Sequence, residues 1–163
     1  MPEIIKTPAG LTLKLDEQEV GILRGLTAEM RLLLEADVPR EDEVIKRLFP
    51  PAHEDESEQQ AYEELVGAEL RRVKMEALEA VERGLQEEGA AAVDLTEEEA
   101  DEWLRLLNDL RLAIGTRLQV DDTKMERPFD PNDPEGPALS VLHWLGWLQG
   151  AMLEEMAGDP RPE

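Results

Sequence analysis

The stretch Leu95–Leu118, LTEEEADEWLRLLNDLRLAIGTRL, constrains this chain more than any other. Thr96 stands at a helix start with Glu99 three residues on, which is the capping-box spacing, and Leu95 and Ala100 are placed to form a hydrophobic staple across it. Glu97, Glu98 and Glu99 fall in the first turn, where the helix dipole favours negative charge. At about 100° per residue, Ala100, Trp103, Leu104, Leu106, Leu107, Leu110, Ala113, Ile114 and Leu118 cover one broad side. An apolar side this wide predicts a helix packed against several neighbours. Gly115 is a candidate stop, with Leu118 carrying the pattern one turn further. Asp101, Arg105 and Asp109 follow at i, i+4 on the opposite side, where surface ion pairs are expected. Arg111 interrupts the apolar side between Leu104 and Leu107. An unpaired buried charge is costly, so the first expectation is an ion pair with one of the many carboxylates. The second is an arginine that binds a ligand or partner. Leu112 points to the polar side and reads as a lone exposed leucine.

Composition narrows the classes. The 163 residues suffice for one domain with a real core. Seventeen basic against 39 acidic residues give a net charge of −22, which repels nucleic-acid phosphates and makes direct DNA or RNA binding an unfavoured expectation. Acidity can accompany disorder, but 41% hydrophobic residues in helical periodicity predict an ordered chain. There is no cysteine, so thiolate metal sites, disulfides and thiol redox chemistry are excluded. No apolar run approaches a membrane span and no charged-then-apolar leader opens the sequence, so a cytoplasmic protein is expected.

Ile4-Ile5-Lys6 and Leu11-Thr12-Leu13-Lys14-Leu15 alternate on either side of Thr7-Pro8-Ala9-Gly10, which predicts a β-hairpin that must lie on the helices to be stable. Asp16, with Glu19, opens a helix whose core face is Val20, Leu23, Leu26, Met30, Leu33 and Leu34. Gly21 and Gly25 inside it would let another element approach closely. A short helix ends before Phe49-Pro50-Pro51. A longer pattern runs through Tyr62, Leu65, Val66, Leu70, Val73, Leu78, Val81 and Leu85 and closes at Gly89, with Gly67 a possible break. It carries the densest basic cluster, Arg71, Arg72 and Lys74, expected to pair with Glu69, Glu76 and Glu79 or else to form a small docking patch. Ala90–Asp94 reads as a short extended piece, and the Asp- and Pro-rich stretch from Gln119 to Gly136 as a long loop. Pro137 suits the first turn of a last helix. There Trp144 and Trp147, together with Trp103, are expected to anchor the core, and Gly146 to allow close packing.

Chemical motifs are mostly absent. His53-Glu54 begins like a zinc-protease motif, but Ser57 stands where the second histidine must be. Asp130–Gly136 resembles a calcium loop with its glycine one place late and prolines among the ligands. No phosphate loop, dinucleotide fingerprint or nucleophile elbow appears. A non-enzyme is expected, with no cofactor, no metal and no catalytic residue.

Leu48-Phe49-Pro50-Pro51-Ala52, Leu70-Arg71-Arg72-Val73-Lys74, the run Leu107–Leu118 (LNDLRLAIGTRL) and Trp144-Leu145-Gly146-Trp147-Leu148-Gln149 occur here in an order that resembles the actinobacterial AosR-like family, long catalogued as a domain of unknown function. The resemblance covers nearly the whole chain, and LNDLRLAIGTRL and WLGWLQ are its most specific parts. The family is named for regulators of the oxidative-stress response, which implies contact with the transcription machinery or a sigma factor. Family genes tend to lie beside that of the Clp adaptor ClpS, which implies Clp components as an alternative partner. Without cysteine this chain departs from any thiol switch. The polar and aromatic exceptions within the signatures, Asn108, Arg111 and Trp147, join Arg71, Arg72 and Lys74 as candidate interaction or structural residues.

The expected fold is mainly α, a single-domain helical bundle with a small N-terminal β-hairpin. It places one domain over 1–157, with the hairpin over 3–15 and helices near 17–36, 40–48, 58–88, 97–118 and 138–157. A flexible tail over 158–163 follows. The expected function is a non-enzymatic regulatory protein acting by protein–protein contact in bacterial stress-response transcription. The alternatives are an accessory of ClpS/Clp proteolysis or a carboxylate-based metal-dependent enzyme.

Overall fold

A computed structural model describes residues 2–35, 42–50, 58, 61, 66–119 and 132–158. The hairpin forms where alternation predicts it. Strand β1 (Glu3–Lys6) runs antiparallel to β2 (Gly10–Leu15), with Ile4 opposite Leu13 and Lys6 opposite Leu11. The Thr7 N–H donates to the Gly10 carbonyl at 2.9 Å, and the Gly10 N–H donates to the Thr7 hydroxyl oxygen at 3.1 Å. Leu11, Leu13 and Leu15 share one face of β2 and all are buried. The extended piece after Ala90 becomes a third strand, β3 (Ala91–Thr96), antiparallel to β2 on its other edge. A two-stranded ribbon is marginal in water, and this third strand makes β2 the centre of a sheet.

Local chemistry starts the helices. The Asp16 carboxylate accepts from the Glu19 N–H at 2.8 Å while the Glu19 carboxylate accepts from the Asp16 N–H at 2.9 Å, opening α1 (Glu17–Glu35). Asp42 accepts from the N–H groups of Val44 and Ile45 at the start of α2 (Glu43–Leu48). The same reciprocal box joins Thr96 and Glu99 at the start of α4 (Glu97–Arg117). Helix α3 spans Ala68–Gly84, and α5 spans Gly136–Ala157 with its proline in the first turn. The fold is mainly α with a small sheet at the N-terminus.

Helix α4 is the hub. It packs against α2, α3 and α5 and against β2 and β3, as its wide apolar side requires. Helix α1 lies on α3, and α5 lies on β1 and β2. Trp103 is fully buried, among Leu11, Leu13, Leu23, Leu78, Leu106, Leu107, Leu145 and Leu148 in one core. Each such side chain contributes roughly 1.5–3 kcal/mol of burial free energy against chain entropy.

Several expectations change. Helix α3 ends at Gly84 and not at Gly89, because the buried Leu85 turns away with its N–H on the Glu82 carbonyl at 3.1 Å. Gly84 lies against Trp103, and a Cβ there would come within 2.9 Å of the indole. Gly89 serves the following turn with φ of 95°, which glycine adopts without strain. Helix α3 begins at Ala68, directly after Gly67, which stands at its N-cap. At Gly21 and Gly25 an added Cβ would meet nothing within 4 Å, so no described element approaches there. Of the three tryptophans Trp103 is fully buried, Trp144 is half-buried and packs against the core, and Trp147 is 40% exposed. Tyr62, Leu65, His53, most of the Gln119–Gly136 loop and the tail beyond Gly158 lie outside the described residues.

Gly10 is required by close approach. A Cβ there would sit 2.2 Å from the Leu95 carbonyl oxygen and 2.6 Å from the Thr96 carbonyl carbon. Gly10→Ala is expected to cost about 3 kcal/mol, because rigid backbone must move. Gly21→Ala, on an open helix face, should gain about 0.5–1 kcal/mol. Denaturant unfolding of both variants checks the contrast, and equal midpoints would contradict it.

Candidate functional site

The second half of α4 and the middle of α5 meet edge to edge. Leu142, Gly146 and Gln149 follow at i, i+4, i+7 on α5, so one edge of that helix carries all three. Facing them, α4 presents Asn108, Arg111, Leu112, Gly115 and Thr116. With Glu43 and Arg47 of α2, Gln119 and Leu142, these α4 residues line a groove of about 640 Å³. Helix α4 ends there: Leu118 donates its N–H to the Ile114 carbonyl at 3.0 Å, and Gln119 follows with φ of 52°, a left-handed closing position more often given to glycine. Gly115 does not stop the helix.

Arg111 occupies the seam, and among the described residues no carboxylate holds it. Its Nη1 donates to the Gln149 side-chain oxygen at 2.8 Å, and its Nε is buried with no acceptor among the described residues. The guanidinium lies over Gly146, where a Cβ would come 3.5 Å from Cζ, Nε and Nη2. The expected ion pair with a carboxylate is therefore corrected: a neutral amide, 38 residues along the chain, orients the charge without cancelling it. Leu112 is half-buried on the groove wall and packs on the core, so it is not a lone exposed leucine. Asn108 is exposed on the same wall.

The basic cluster on α3 points three ways. Arg72 is clasped by Glu69 and Glu76 on its own helix, which holds the Glu69 carboxyl below its usual range, chiefly through the hydrogen bond. Arg71 donates to the Leu34 carbonyl and stands 5.2 Å over the Phe49 ring. Lys74 crosses to α4 and donates to the Asp109 carboxylate at 2.9 Å. Helical spacing places Asp109 on a surface face with Asp101 and Arg105, whereas in the fold it is 5% exposed and its partner is Lys74. Burial raises the Asp109 pKa, and the hydrogen bond and charge of Lys74 lower it by less. On α5, Ser140, His143, Trp147, Gly150, Leu153, Glu154 and Ala157 are exposed along one outward arc, with Glu154 its only carboxylate. Among the described residues no three His, Asp or Glu side chains are grouped to hold a metal ion, and no helix is long and apolar enough to cross a membrane.

Residues 1–156 match the family described as a domain of unknown function, DUF2017. The chain belongs to this family. It is similar to the oxidative stress regulator AosR of Mycobacterium tuberculosis and of Mycobacterium bovis, each 34% identical over 67 residues, 41% of this chain and 30% of the relative. A putative oxidative stress regulator AosR of Mycobacterium leprae is 39% identical over 66 residues, 38% of this chain and 28% of the relative. The match thus spans under a third of the length of these curated relatives. No solved structure matches the chain. The two stretches that carried the family resemblance, LNDLRLAIGTRL and WLGWLQ, meet at Arg111, Gly146 and Gln149.

The Lys74–Asp109 pair joins α3 to α4 and gives a pH signature. A carboxyl whose folded pKa is raised stabilises the fold most at low pH and loses that contribution as pH rises through the folded value. Lys74→Met removes both influences that lower it, so Asp109 should titrate higher still. The variant is expected to lose about 3–5 kcal/mol at pH 7. Part of that loss should return at acidic pH, as Asp109 takes up its proton. Denaturant unfolding of variant and parent at both pH values reads the difference, and a loss equal at both would contradict the account.

Proposed function

We propose that this chain is a non-enzymatic regulatory protein that acts in the cytoplasm by protein–protein contact in bacterial stress-response transcription. The similarity to proteins named oxidative stress regulators carries the reading. The outward arc of α5 supports the contact mode. Trp147 at 40% and Leu153 at 53% exposure flank Gly150 on a helix without a single Lys or Arg, and exposed aromatic and aliphatic side chains of this kind anchor protein interfaces. The partner is a component of the transcription machinery, such as a sigma factor or a polymerase subunit. With no cysteine in the sequence, this chain binds without a thiol switch of its own.

A tagged pull-down with and without peroxide tests this. Recovery of a sigma factor or polymerase subunit, unchanged by peroxide, is expected. Trp147→Glu should lower that recovery by about tenfold or more while leaving the unfolding free energy within about 0.5 kcal/mol of the parent. Recovery of Clp components in place of transcription proteins would overturn the reading in favour of a proteolysis accessory. Recovery of neither would overturn it outright.

A further inference from the structure

We infer that the groove between α2, α4 and α5 binds a small organic anion, a carboxylate or phosphate carried on an apolar body. The inference stands apart from the regulatory reading and requires only the groove.

Charge makes the first argument. The chain carries 39 acidic residues, yet among the described residues the ionisable groups on the groove wall are Arg47, Arg111 and Glu43, a local excess of one positive charge. Glu43 has Lys46 at 3.8 Å as a further cation of its own helix. Two other arginines are neutralised within the fold, Arg31 by Glu35 and Glu82 and Arg72 by Glu69 and Glu76. Arg111 and Arg47 have no such partner among the described residues, although Arg111 is half-buried. A guanidinium in that position has its desolvation only partly compensated, and an incoming oxyanion would complete it.

Geometry makes the second. Gln149 takes one of the five N–H donors of Arg111 and fixes the plane of the fork, and the absence of a side chain at Gly146 lets that plane lie against α5. A guanidinium held by a neutral amide is oriented before a ligand arrives and keeps its charge, the arrangement suited to paired donation to carboxylate or phosphate. The volume of about 640 Å³ lies within the usual range for small-molecule sites. Leu112, Leu142 and Gly115 supply apolar wall beside the two guanidiniums, and Asn108 adds a neutral amide. A bare inorganic ion would leave that apolar wall unused, whereas an anionic head on a short hydrocarbon or ring would cover it.

The test titrates the full chain with inorganic phosphate and, separately, with butyrate, at constant ionic strength. Arginine Nε–Hε signals are followed by proton–nitrogen NMR. The Arg111 and Arg47 signals should move together and saturate with at least one probe, while Arg72 stays still. Saturation by phosphate alone assigns phosphate ligands, by butyrate alone carboxylates on an apolar chain, and by both the shared oxyanion chemistry. Arg47→Gln, at the exposed end of α2, should weaken the saturating interaction about tenfold, and Arg111→Gln should abolish it. If Arg111→Gln fails to fold, Arg47→Gln decides alone. Linear drift shared by Arg111 and Arg72 with both probes, or parental affinity in Arg47→Gln, would overturn the inference.

Discussion

The structure depends on a single tight junction, where β3 becomes α4 without an intervening loop. Thr96 is at once the last residue of the strand, paired with Gly10, and the cap of the helix. The hairpin turn is pressed against this point. The Ala9 carbonyl accepts from the Glu97 N–H at 3.1 Å, satisfying one of the amides that the start of a helix leaves open. Sheet and central helix are thereby locked in angle, and Leu95 and Ala100 are buried on either side of the cap. Every other helix packs on α4 or on what α4 supports, so the orientation set here propagates to the α4–α5 seam some fifteen residues further on.

Electrostatics shows the same economy. A net charge of −22 works against compactness by self-repulsion, and the fold spends most of its few described cations on internal bonds. Lys6 holds the Met156 carbonyl at 2.8 Å and so ties β1 to the end of α5. Lys74 ties α3 to α4 through Asp109, and Arg31 ties α1 to α3 through Glu82. Each of these joins elements far apart in sequence, so together they act as clasps between layers. Arg47 and Arg111 are set apart by facing a shared groove.

Elements with local causes were legible in the sequence. The Thr96–Glu99 and Asp16–Glu19 boxes, the alternation in β2 and the breadth of the α4 apolar side are each written within a few residues, and the structure shows each of them. What depended on a distant partner was not legible. Helical spacing puts Asp109 on a polar face with Arg105; Arg105 is exposed, but Asp109 is buried and meets Lys74 of α3, 35 residues away in sequence. Arg111 stands out in the sequence as a charge among leucines, yet nothing in periodicity distinguishes Gln149 from dozens of carboxylates as its partner. Trp147 failed for the opposite reason. Helix α5 is apolar around most of its circumference, so its own sequence cannot say which side neighbours cover; only α4 and the sheet decide that.

The two most specific signature stretches of the family are thus joined by a contact that neither predicts alone. Arg111 needs an acceptor that keeps its charge and a neighbour small enough to admit its plane, and WLGWLQ provides both, Gly146 for space and Gln149 for the bond. The same stretch turns Trp147 outward on the arc bordered by Leu153. One short segment therefore serves two surfaces, a groove on one edge of α5 and an apolar arc on its outer side. Because both lie on a single rigid helix, a change in packing at Arg111 would be felt through the backbone of α5 at Trp147, one residue from Gly146. The fold thereby places a charged pocket and an exposed aromatic anchor within one helical turn of each other.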